Sequence, residues 1–291
     1  MESTQIISRK AREGAKTQRG RVGFGEIVKR VFGGMTMMLL LTVKVYGQVD
    51  SGYLDGIGHT PIYYESRGNG DPVLLIHGFI VNGESWKKTA LYDSLLRSGY
   101  RVITMDLRGN GKSGKPHLAD AYANDAEAKD IMLLADKFNL EQYTAVGYSR
   151  GSIITARLLV MDKRLRRAVM GGMGTDFTDP EWPRRKMFYR ALSGDTVKEL
   201  EPMVRYVQQS GLDQQALALL QKEQPSTPKA ALAKVKQPVL VVCGKEDSDN
   251  GKASDLADLF SNGKYVTVPG DHGGAVRTPE FAVAVLDFLR K

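Results

Sequence analysis

One cysteine, four histidines and two tryptophans are scarce in a chain of 291 residues, and each scarcity excludes something. With Cys243 alone, no disulfide framework and no cysteine-based metal site can form within one chain. Its place in the apolar run from Pro238 reads as that of a small buried hydrophobe. No group of His, Asp and Glu shows metal-ligand spacing, so no metal site is expected. The longest apolar stretch, Val31 to Val43, has thirteen residues with Gly33 and Gly34 inside it. That is too short to span roughly 30 Å of hydrocarbon. The body of the chain also lacks an excess of either charge. The formal net charge is +8, but residues 1–47 hold four Lys and five Arg against three Glu, a net of +6. The remaining 244 residues are left with +2, too little to support binding to nucleic acid.

A basic stretch ending at Lys29-Arg30, then an apolar run, then Val45-Tyr46-Gly47 is the pattern of an export signal. Residues 1–47 are therefore expected to be a cleaved leader and the product to be secreted or periplasmic. The alternatives are an uncleaved membrane anchor, the one route by which the protein would touch a membrane, and a cytoplasmic tail.

Beyond the leader, short β-branched runs alternate with helical patterns, which implies a mostly parallel sheet covered by helices. Strands are expected at His59–Ser66, Val73–Ile76, Arg101–Met105, Tyr143–Val146, Arg167–Met170, Val239–Cys243 and Tyr265–Val268. Helices are expected at Trp86–Arg97, Ala121–Phe138, Ser149–Met161, near Asp255–Phe260, and from Pro279. Residues 176–232 interrupt the alternation with aromatic and methionine residues at helical spacing and no convincing strand. The organisation read from this is a core of 48–175 and 233–291 with a helical lid, 176–232, over the carboxyl edge of the sheet, where open α/β sheets place ligands. The lid's apolar underside would suit a medium-sized apolar acyl or alcohol group.

Gly147-Tyr148-Ser149-Arg150-Gly151 has the form Gly-x-Ser-x-Gly, directly after a strand and opening a helix. Such a turn lifts the serine hydroxyl clear of the sheet and leaves no room for side chains at its glycine positions. Val73–Ile76 runs into His77-Gly78-Phe79, where the backbone N–H of Phe79 could converge with that of Arg150 on an oxyanion. A serine needs a base. His59 falls in a strand, His77 shapes the loop and His117 lies in an exposed stretch beside Pro116. His272, between the last strand and last helix, is left at the same sheet edge as Ser149. Asp247, after Val239–Cys243, is the expected orienting acid, with Asp249 and Glu246 as close rivals and Asp176 a distant one. Arg150 either binds an acid group of the substrate or pairs with a nearby carboxylate. Gly109–Gly114 spells Gly-x-Gly-x-x-Gly, but Lys115-Pro116 continues a loop where a dinucleotide site needs a helix. Asp106, Arg108, Asp125 and Asp130 read as residues that tie loops together.

His77-Gly78-Phe79, Asp106–Ser113, the elbow, Gly244–Asp247 and Gly270-Asp271-His272 stand in an order and spacing that resemble the α/β-hydrolase superfamily, particularly its capped, esterase-like members. The resemblance covers residues from about 53 to 291. It implies an α/β-hydrolase fold with an eight-stranded sheet, a lid inserted after the sixth strand, and no metal or organic cofactor. It also implies a serine hydrolase in which Ser149, His272 and Asp247 act on a small acyl substrate. Serine at 149, where the epoxide hydrolase and haloalkane dehalogenase branches carry aspartate, departs from those branches. The same three residues could instead act on an amide, a lactone, a peptide N-terminus, a carbon–carbon bond or a peracid. A non-enzymatic reading is a ligand-binding protein that keeps the fold with a vestigial site.

Overall fold

The computed structural model describes residues 49–291; the expected leader lies outside the described residues. Apolar residues at alternate positions make strands whose two faces are both buried. In β3 (Pro72–Ile76), Val73 and Leu75 face one layer of helices while Leu74 and Ile76 face the other, and all four are at most 2% exposed. A strand buried on both faces belongs at the centre of a parallel sheet, and β3 lies there.

The sheet has eight strands in the order β1-β2-β4-β3-β5-β6-β7-β8. They are β1 (Asp50–Asp55), β2 (Pro61–Arg67), β3, β4 (Arg101–Met105), β5 (Tyr143–Tyr148), β6 (Leu165–Gly171), β7 (Val239–Gly244) and β8 (Gly263–Val268). The β1–β2 and β2–β4 pairs are antiparallel and the rest parallel. Helices α1 (Ala90–Arg97) and α9 (Pro279–Leu289) pack on one face. On the other lie α2 (Ala126–Lys137), α3 (Arg150–Met161) and α8 (Ala253–Asp258).

Four features differ from the sequence expectation, each for a local reason. The first strand, β1, was not expected: as an edge strand with one neighbour it buries little, and DSGYLD carries no apolar alternation. His59 is not in a strand but in a short 3-10 turn, with φ 56°. The helix expected over Trp86–Arg97 is two pieces. A 3-10 turn at Gly83–Lys88 ends at Thr89, whose extended backbone and Oγ1, accepting from Tyr92 N–H at 3.4 Å, cap α1. Asn124 and Asp125, both with left-handed φ, delay the start of α2 to Ala126.

Between β6 and β7 the chain leaves the sheet and forms α4 (Pro183–Leu192), α5 (Glu201–Gln209), α6 (Gln214–Lys222) and α7 (Lys229–Leu232). Leu192, Val207, Ala216, Leu217 and Leu220 of this insertion form an apolar cluster of their own, with Tyr122 from the sheet domain.

Candidate active site

The site is assembled at the carboxyl ends of the central strands. Ser149 follows β5 and precedes α3 with φ 54° and ψ −119°, a conformation that costs an L-residue energy and persists only where its surroundings impose it. They do so through close packing. A Cβ on Gly147 would lie 2.2 Å from the Gly151 carbonyl oxygen, and one on Gly151 would lie 2.1 Å from that of Ile76. The Ser149 N–H donates to Gly171 O at 2.8 Å, and the Ser152 hydroxyl donates to the same oxygen at 2.8 Å.

The loop after β8 brings His272 to this turn. Ser149 Oγ lies 2.9 Å from His272 Nε2, and His272 Nδ1 lies 2.9 Å from Asp247 Oδ2. With the imidazole proton on Nδ1, the ring donates to Asp247 and accepts from the serine hydroxyl. Asp247 follows β7, and its side chain is 2% exposed. Burial alone would raise its carboxyl. Hydrogen bonding from His272, that ring's field, the Asp249 N–H and the Cys243 thiol together outweigh burial and hold it below the usual carboxylate range. Cys243 is buried, as expected, and its thiol lies 3.5 Å from Asp247 Oδ2. Burial, then the adjacent Asp247 charge, push that thiol up to about 12, so it stays a neutral donor. Tyr148 donates its hydroxyl to the His272 carbonyl at 2.7 Å and sets its ring beside the imidazole, which pins the histidine loop.

The rivals are placed elsewhere. Asp249 accepts from the Arg184 guanidinium at 3.1 Å, and Glu246 is exposed. Asp176 opens a 3-10 turn beside Gly251. His77 is 1% exposed and accepts from Leu107 N–H at 2.9 Å through Nε2 while its Nδ1–H donates to Gly78 O at 2.8 Å. It holds the loop after β3 against the loop after β4. A Cβ on Gly78 would lie 3.4 Å from the Ser149 Cβ, so that loop passes directly beside the serine. Phe79, the next residue, and Arg150, the first of α3, both line the cavity at Ser149. The Arg150 N–H belongs to the first turn of α3 and has no intrahelical partner.

The Arg150 side chain does not face a ligand as a free cation. It is 3% exposed, and its Nε and Nη2 hold the two Glu127 oxygens at 3.1 and 2.5 Å while Nη1 donates to Gln224 Oε1 at 3.1 Å. The carboxylate alternative is therefore the one realised. Glu127 and Gln224 lie 23 and 74 positions from Arg150 in sequence, and no local pattern connects them. The loop-tying residues do as expected. Asp106 accepts from Gly83 N–H and Lys112 N–H, Arg108 holds Asp130 with both wholly buried, and Arg157 holds Asp125. The Gly109–Gly114 segment is that tied loop, with no helix at its third glycine.

A cavity of 260 Å³ opens over Ser149 and His272. Phe79, Ile80, Ile153 and Met173 line it from the sheet domain, and Trp182, Phe188 and Met203 from the insertion. Two larger depressions, of 960 and 510 Å³, lie against α7 and against α9 and touch none of the residues above, while a third, of 850 Å³, shares Trp182 and Arg184 with this cavity. Among the described residues, no group of three or more His, Cys, Asp or Glu is placed to hold a metal ion, and no helix is long and apolar enough to cross a membrane.

Comparison with known proteins agrees with the fold. A family model described as alpha/beta hydrolase fold matches residues 71–197. A bromoperoxidase from Bacillus anthracis superposes with a TM-score of 0.67 at 25% identity, over 83% of this chain and all of that one. An esterase from Exiguobacterium antarcticum superposes with a TM-score of 0.70 at 19% identity, over 83% of this chain and all of that one. The family model and the bromoperoxidase support the α/β-hydrolase superfamily, and the esterase shows the same fold. Among curated proteins it is similar to a putative non-heme chloroperoxidase of Synechocystis, 41% identical over 126 residues, 43% of this chain and 42% of that protein. It is also similar to a bifunctional epoxide hydrolase of Sus scrofa, 27% identical over 108 residues, 37% of this chain and 19% of that one. The chain spans about two fifths or less of the length of these curated relatives.

Proposed function

We propose that this protein is a serine hydrolase that cleaves carboxylic esters of small acyl groups through an acyl-enzyme. The observation that carries the reading is the unbroken row Asp247–His272–Ser149, with both links at 2.9 Å, opening on a cavity. Ser149 Oγ attacks the ester carbonyl carbon as His272 Nε2 takes its proton. The negative oxygen that results is held by the N–H groups of Phe79 and Arg150, donors that act where charge develops. Asp247 keeps the imidazole in the right tautomer and stabilises the imidazolium. The imidazolium then protonates the departing alkoxide as its bond to carbon breaks. Water, losing a proton to His272, attacks the acyl carbon, and the acid leaves with Ser149 restored. The sum is ester plus water giving acid plus alcohol.

A second reading keeps the acyl-enzyme and changes its acceptor. The names of the chloroperoxidase and bromoperoxidase relatives favour it. Hydrogen peroxide in place of water would release a peracid, and a peracid oxidises halide. Ser149→Ala tests both readings at once. It is expected to abolish p-nitrophenyl acetate hydrolysis and, with acetate, peroxide and bromide supplied, bromination of an indicator dye, while the folded circular dichroism spectrum persists. Undiminished turnover of either kind would remove the corresponding reading.

A further inference from the structure

Three arginines line the cavity over Ser149, and no aspartate or glutamate does. Two are already neutralised. Arg150 is clamped by Glu127, and Arg184 is held by Asp249 at 3.1 Å with its guanidinium over the Phe188 ring. Arg185 is different. Its single hydrogen bond runs from Nη1 to the Gln224 carbonyl oxygen at 3.2 Å, and among the described residues no carboxylate pairs with it. A guanidinium carries five N–H donors in a fixed fork, so most of its capacity is uncommitted.

The Gln224 carbonyl that anchors Arg185 lies three residues beyond Gln221, in the last turn of α6, and Gln221 lines the same cavity. Gln221 is 6% exposed, yet its carboxamide makes no hydrogen bond with any described residue. Neither atom of the amide is wholly buried, so both remain open to a partner that enters the cavity. An unpaired cation and an unpaired amide thus share a small chamber that Phe188, Met203 and other apolar side chains also line.

We propose that Arg185 and Gln221 form a carboxylate-binding subsite, and that the preferred substrates are short esters carrying a second, ionised acid group, such as half-esters of dicarboxylic acids. This rests on the hydrolase reading above and narrows it. The Arg185 fork accepts a carboxylate through parallel N–H donors, and the Gln221 amide supplies one more. A cavity of 260 Å³ is at or below the lower end of small-molecule sites, roughly 300 Å³, which favours a chain of a few carbons.

The test compares monoethyl glutarate with ethyl 4-carbamoylbutanoate, equal in shape and differing in one charge. In wild type, kcat/KM is expected to favour the carboxylate by about tenfold to a hundredfold, the range of a charge-assisted hydrogen bond in a protected site. Arg185→Gln is expected to bring the ratio near one, Arg185→Lys to keep part of it, and Lys186→Gln, an exposed neighbour paired with Glu181, to leave it as in wild type. A second readout needs no turnover. By calorimetry, 4-carbamoylbutanoate, with one carboxylate, should bind Ser149→Ala at least tenfold more tightly than pentanediamide, its uncharged counterpart. A wild-type ratio near one with Ser149-dependent p-nitrophenyl acetate hydrolysis intact overturns the subsite and spares the hydrolase. Turnover that survives Ser149→Ala overturns the hydrolase, and the calorimetric preference then decides the subsite by itself.

Discussion

At the scale of single residues, the site is governed by which charges are compensated before a ligand arrives. Asp247 is the clearest case. Burial raises its carboxyl, but His272, the Asp249 N–H and Cys243 lower it further than burial raises it. A carboxyl whose folded value lies below its unfolded one, about 3.9, contributes stability that is complete above that value. The contribution is lost as pH falls through the folded value. Wild type and Asp247→Asn are therefore expected to show parallel stability from neutral pH down to about 4, and below that wild type should lose stability more steeply. Urea midpoints measured across that range check this, and parallel curves down to pH 2 would sink it. Asparagine at 247 should also lower kcat by about 10³ to 10⁴, because the amide can donate to Nδ1 and stabilise the wrong tautomer. That an acid after β7 meets His272 was legible in sequence from the strand it follows. But Asp249 and Glu246 follow the same strand, and only the folded loop sets Asp247 against the ring and Asp249 against Arg184. The partner of Arg150 was not legible, because the buried pair is made by two helices that only the folded sheet brings together.

At the scale of elements, the turn from β5 into α3 depends on absent atoms. Gly151 must let α3 pass the end of β3, and a methyl group there would meet backbone oxygen at 2.1 Å, which no rotamer change relieves. Gly151→Ala is expected to destabilise the fold by about 3 kcal/mol or more, at the upper end of overpacking costs. Chemical denaturation would measure it, and a loss within 0.5 kcal/mol, about the level of a neutral surface change, would show that the turn relaxes where the geometry says it cannot. The glycines made this element readable in advance, since close approach leaves a mark in sequence. The edge strand β1 left none. Its pairing with β2 rests on backbone hydrogen bonds, and its side chains face mostly outward. The 3-10 turn before α1 was hidden for a related reason, as apolar spacing does not distinguish one turn of 3-10 helix from α-helix.

At the scale of the whole molecule, the sheet domain supplies Ser149, His272 and Asp247, while the insertion supplies Arg185 and Gln221, so rate and selectivity should be separable. The order and spacing of motifs made the sheet and its chemical edge legible. The cavity's selectivity was not, because Arg185 and Gln221 carry no motif and matter only by what they fail to pair with. The insertion is tied to the sheet domain at Asp213. That side chain caps α6 by accepting from Ala216 N–H at 2.9 Å and also takes His117 Nε2 at 2.8 Å. Burial would raise Asp213, but the Ala216 amide and then His117 hold it below the usual carboxylate range, so the tie persists into mildly acidic solution. Asp213→Ala removes a cap worth about 1 kcal/mol. The loss falls on one end of α6, while Gln221 and the Gln224 anchor of Arg185 lie at and beyond the other. Amide exchange at the start of α6 is expected to quicken while that of β3 and β5 is unchanged. KM for monoethyl glutarate should then rise several-fold with kcat changed less, since Ser149 and His272 are held by the sheet. A fall in kcat with KM constant would mean that the insertion orders the reacting groups themselves, and that rate and selectivity are not divided between the two parts of the chain.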